Sequence, residues 1–127
     1  MAAADGEPPK LTQIDLDILR KADEILADES KWNRKCERRY KKEDTTWSLY
    51  TALHKASLET TGKFDHRQPA LEEVRKTVER LTADKKYQHR LMDYNDDPDT
   101  KFADIKKVFT TTIERVSAEV EKKVPKK

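Results

Sequence analysis

Residues 11–30 read LTQIDLDILRKADEILADES, and the spacing of their apolar side chains decides the fold class. Leu11, Ile14, Ile18, Ala22 and Ile25 recur at steps of three and four, with Leu19 and Leu26 beside them, which predicts an amphipathic helix. Neither glycine nor proline occurs from residue 10 to residue 61. Lys, Glu, Arg, Ala and Leu are abundant there, so intrinsic propensity points the same way.

Working outward, DTTWSLYTALHKASL (residues 44–58) predicts a second helix, capped by Asp44 or Thr45, with Trp47, Tyr50, Leu53 and Ala56 or Ser57 on one face. Pro69 suits a first helical turn, and Leu71, Val74, Val78 and Leu81 predict a third. Tyr87, Leu91 and Tyr94 mark a short further helix. Phe102, Ile105, Val108, Phe109, Ile113, Val116 and Val120 predict the last long one, started by Asp99 or Thr100 after Pro98. No run alternates with period two over β-branched residues. The expected fold is an all-α, single-domain bundle of about four helices plus one short one. It spans residues 11–120, with disordered tails at 1–10 and 121–127.

Composition limits the size of the core. Of 127 residues, 41% are charged and 35% hydrophobic, yet the net charge is only +2. Leu, Ile, Val and Phe number 24, close to the level of about 20% below which chains of high net charge stay unfolded. Near-cancellation of charge and periodic apolar spacing favour folding. Cys36 is the only cysteine, which excludes an intrachain disulfide and any multi-cysteine zinc site and fits a reducing cytoplasm. With no apolar run near 18 residues and no apolar stretch after the first methionine, neither a membrane span nor a secretory signal is expected.

Residues 31–42, KWNRKCERRYKK, are the main candidate binding segment. Arg34, Lys35, Arg38, Arg39, Lys41 and Lys42 flank Trp32 and Tyr40, offering cations for phosphates and ring faces for unpaired bases. Trp32, Cys36 and Tyr40 are also four apart and in phase with Ile25 and Trp47. One helix from residue 11 to 57 satisfies that arithmetic, but uncapped helices of such length are uncommon, so a break is expected near Ser30 or between Tyr40 and Thr46. Residues 15–29 carry six acids against two bases. The favoured reading is that this acidic first helix answers most of the strip's charge while Trp32, Cys36 and Tyr40 enter the core.

A second cluster, DYNDDPDTKFAD, sets Asp93, Asn95, Asp97, Asp99 and Asp104 at the ligand spacing of a calcium loop. Pro98 stands where that loop needs glycine and Asp104 where it needs glutamate, so an Asx-rich turn that stops one helix and starts the next is the better reading. His54, His66 and His89 have no helical spacing to one another or to Cys36. With only Gly6 and Gly62, no phosphate loop is present, and no nucleophile-elbow pattern occurs. No catalytic residue, metal, cofactor or small-molecule ligand is indicated.

Trp32, the WSLYTALHKA stretch with Ala52, Leu53 and Ala56, and then Asn95, Asp96, Thr100, Asp104 and Ile105 together resemble a small domain family of bacterial and phage proteins without assigned function. Its members share an opening helix of the ILRKADEIL kind, a tryptophan soon after it, a Gly-Ala-Leu helix, and an Asn-Asp turn into the last helix. The resemblance covers residues 16 to 116. It departs at Thr51, where glycine is usual, and in the basic character of residues 31–42. It implies an α-rich single domain in a bacterial or phage setting and carries no mechanism. The expected function is a non-enzymatic cytoplasmic interaction module, acting on a protein partner or as a homodimer through its thin core and small Ala52 and Ala56. The alternative is nucleic-acid binding through residues 31–42.

Overall fold

A computed structural model describes residues 11–35, 41–83 and 85–122. Five α-helices follow one another: α1 (Gln13–Ile25), α2 (Leu49–Thr61), α3 (Pro69–Leu81), α4 (Arg90–Asp96) and α5 (Phe102–Lys122), with a 3-10 turn at Glu29–Lys31. The all-α, single-domain expectation holds. Helix α5 runs two residues into the segment expected to be a tail, while residues 1–10 and 123–127 lie outside the described residues. Among the described residues, no helix is long and apolar enough to cross a membrane.

Local chemistry sets each boundary. At the start of α1, the Thr12 hydroxyl accepts from the Asp15 amide while the Asp15 carboxylate accepts from Thr12 N–H at 2.9 Å, a reciprocal capping box. The helix ends after Ile25, and there Lys106 of α5 donates its ammonium to the carbonyls of Asp23 (2.9 Å) and Leu26 (3.0 Å) and to the Asp23 carboxylate. A cation on the last carbonyls satisfies acceptors that the helix leaves open. A second turn then begins at once, because the Asp28 carboxylate accepts from Ser30 N–H at 2.9 Å. The single long helix is thus excluded, and the break lies just before Ser30.

Helix α2 starts later than its sequence suggested. Ser48 is the cap, paired reciprocally with Thr51, so neither Asp44 nor Thr45 serves. The delay has a cause: Trp47 N–H donates to the Lys31 carbonyl (2.8 Å) and Asn33 N–H to the Trp47 carbonyl (2.9 Å), holding Trp47 extended in a parallel bridge with Trp32. Thr51, which replaces the glycine of the resemblance, therefore supplies the second half of a cap. Gly62 ends α2 at φ 77°, a conformation that side chains with a Cβ rarely adopt. For α5 the flanking position falls to Lys101, whose N–H donates to Asp104 at 2.9 Å, rather than to Asp99 or Thr100.

The core is one continuous cluster drawn from all five helices. Helix α1 lies most extensively on α2 and then on α5, while α3 covers α5 and α4. Leu16, Ile18, Leu19, Ala22 and Leu26 form the buried face of α1, so the predicted stripe was rotated: Ile14 is 52% exposed and Ile25 half-buried. In α2 the buried residues are Leu49, Ala52, Leu53 and Ala56, with Trp47 and Tyr50 only half-buried. Ala52 and Ala56 are enclosed within the chain itself. Leu81, expected in the core, is 40% exposed. Between α3 and α5, Thr77 and Thr112 bury their hydroxyls against each other at 2.7 Å.

Candidate functional site

The described part of the basic segment is built around a buried amide. Asn95, near the end of α4 and fully enclosed, accepts on Oδ1 from Trp32 Nε1–H (2.6 Å) and from Leu49 N–H (3.0 Å). Its Nδ2 donates to the carbonyls of Asn33 and Arg34, each at 3.0 Å, and to the Asp96 carboxylate. Two donors on one end and carbonyls on the other leave one orientation of the amide. A single side chain thereby joins residues 32–34, the start of α2 and the end of α4. Phe102 lies against the Trp32 ring, with centroids 6.1 Å apart.

On this anchor the cations are left outward. The Arg34 guanidinium sits 4.8 Å above the Trp32 ring and donates to the Asp97 carbonyl at 3.2 Å. Lys31, Lys35, Lys41 and Lys42 are exposed, and none of the five described strip cations forms an ion pair with a described residue. The expectation that α1 would neutralise the strip is therefore corrected for this part of it. Three of the four acids of α1 have other partners: Asp15 caps its own helix, Asp17 accepts from Gln13, and Asp23 holds Lys106. Trp32 does enter the core, but as the residue after a 3-10 turn rather than on a helix. Cys36, Arg38, Arg39 and Tyr40 lie outside the described residues.

The calcium-like residues disperse onto different partners. Asn95 faces the core, Asp93 accepts from the Gln88 and His89 amides, and Asp104 accepts from Lys101 N–H. Asp97 binds Lys85 Nζ at 2.8 Å and the Tyr87 hydroxyl at 2.7 Å, and Asp99 shares the same ammonium at 3.0 Å. Among the described residues, no group of three His, Cys, Asp or Glu is placed to hold a metal.

Hydrogen bonds from Lys85, from the Asp99 amide and from Tyr87 hold the Asp97 carboxyl down to about 2. A depressed carboxyl stabilises the fold fully above its unfolded value near 3.8 and stops doing so as pH falls toward about 2. Asp97→Asn is accordingly expected to be less stable than the parent at pH 7, with the gap narrowing as pH drops from 4 toward 2. Urea titrations across that range check this; a gap independent of pH would show that the ion pair contributes nothing.

A second cationic surface escaped the sequence reading. Arg67, Arg75 and Arg90 line a cleft of about 400 Å3 with Glu72, His66 and His89, closed by Tyr50, Leu91 and Met92. These residues come from α2, the 62–68 loop, α3, His89 and the first turn of α4, so no linear spacing announces them. His54 lies apart, stacked on Phe64 with centroids 3.9 Å apart, and burial holds its pKa below the ordinary value.

No curated protein and no solved structure is found to match the chain. A family match does exist, and it takes in α1 through most of α5, including Trp32, Trp47 and Asn95. Over residues 11–115 the chain belongs to DUF6197, a family of unknown function.

Proposed function

We propose that this chain is a small, non-enzymatic binding module that engages an acidic protein surface through Lys31, Arg34, Lys35, Lys41 and Lys42. A cytoplasmic setting in a bacterium or phage accords with that reading. One observation carries it: these cations stand exposed without ion pairs to described residues, while Asp15, Asp17 and Asp23 of α1 are held elsewhere. Uncompensated surface charge of one sign steers and holds a partner of the other. Trp32 also argues for protein over nucleic acid, since its indole N–H is bound to Asn95 and its ring to Phe102 and Arg34. A ring so enclosed makes a poor platform for stacking bases.

Fluorescence anisotropy with a labelled oligoglutamate peptide tests the proposal. Binding is expected, weakening with salt over the range where the screening length drops to about 8 Å. Lys35→Glu/Lys41→Glu/Lys42→Glu is expected to abolish it. Equal binding by this variant would sink the proposal. Two further probes, oligo(dT) and an abasic phosphodiester of equal length, separate the classes of partner. Matched affinities support a purely electrostatic surface, whereas oligo(dT) binding about tenfold more tightly would return the strip to nucleic acid, as base stacking requires. Sedimentation of the free protein shows whether a second copy is the partner.

A further inference from the structure

We propose that the cleft between α3 and α4 is a binding site for a small phosphomonoester, a site separate from the basic strip. Three guanidiniums face it, from Arg67, Arg75 and Arg90, against one lining carboxylate, Glu72. Glu72 is shared between two of them, 2.9 Å from Arg75 Nη1 and 3.9 Å from Arg90 Nη2. Arg90 takes Glu79 on its other nitrogen at 2.8 Å, but Glu79 does not line the cleft. Arg67 forms no ion pair among the described residues. With Glu79 counted, three arginines stand against two carboxylates, so the cleft keeps one net positive charge, on the side of Arg67, toward which a phosphate anion is drawn.

Burial makes that excess costly. The Arg75 side chain is only 14% exposed, and desolvation, with the nearby Arg90 charge adding to it, holds its pKa below the ordinary value despite Glu72. A bound dianion removes that cost, and the planar fork of arginine suits three phosphate oxygens. At about 400 Å3 the cleft falls within the range of sites for organic ligands rather than bare ions. Tyr50, Leu91 and Met92 give it an apolar wall on which the organic part of an ester can lie. His66 and His89 also line it.

NMR titration with inorganic phosphate and with phenyl phosphate tests the assignment. Saturable shifts are expected at the His66 and His89 rings and the Arg67 and Arg75 amides, with phenyl phosphate the tighter ligand. Arg67→Gln alters an exposed residue without an ion pair, so the fold is retained, and affinity is expected to fall about tenfold through loss of one charged hydrogen bond. Unchanged affinity in this variant would overturn the site. So would shifts confined to residues 31–35 and 41–42, which would mean charge attraction to the strip. Phenyl phosphate binding no tighter than phosphate would overturn the assignment to an ester.

Discussion

Replacing Asn95 with leucine is expected to lower stability by about 3 to 5 kcal/mol, although a leucine of similar volume fills the space. Two buried donors, Trp32 Nε1–H and Leu49 N–H, lose their common acceptor, and the carbonyls of Asn33 and Arg34 lose their donor. A buried polar group stripped of its partner costs about 1 to 3 kcal/mol, and the two donors lie too deep for water to replace the amide fully. Against a total stability of about 5 to 15 kcal/mol the loss is large. Urea unfolding measures it. Trp32→Phe is the comparison: it keeps an aromatic ring but removes one donor and part of the indole, so about 1 to 3 kcal/mol is expected. If Asn95→Leu cost no more than Trp32→Phe, the amide would be ornamental to the fold.

The second large effect separates two residues of one helix. Leu19→Ala is expected to cost about 2 to 5 kcal/mol, because Leu19 is wholly enclosed and its removal leaves a cavity in a well-packed core. Ile14→Ala, five residues earlier, is expected to stay within about 1 kcal/mol, since that side chain is 52% exposed. The reverse order would mean that α1 packs through the face its spacing first suggests.

That pair also shows how far the sequence could be read. Periodicity identified α1, α3 and α5, where several apolar residues repeat over three or more turns. It did not settle the phase of α1, because Ile14 and Ile25 compete with Leu16, Leu19 and Leu26, and only the neighbours α2 and α5 decide between them. The start of α2 was misplaced for a similar reason. Asp44 is a good local cap, but Trp47 is held extended by Lys31 and Asn33, and that bridge is not encoded near either residue.

Asn95 was the hardest to see. In DYNDDPDT it reads as one more polar turn residue, and its partner Trp32 stands 63 positions away. Charge pairing failed on the same ground: Asp23, one of the six acids expected to answer the strip, meets Lys106, which is 83 positions distant. The arginines of the cleft lie on separate elements and share no motif. What the sequence did carry was the composition of the candidate strip, while its accessibility depended on where the acids of α1 went.

The bridge between Trp32 and Trp47 brings together the two ends of the stretch from residue 33 to residue 46. Doubling the length of such a stretch adds only about 0.6 kcal/mol of closure entropy. What holds this fold is thereby separated from what it displays. Substitutions at the exposed Lys35, Lys41 and Lys42 are expected to cost the fold less than a change at Asn95. A loop grafted between the two tryptophans would start with its ends already closed.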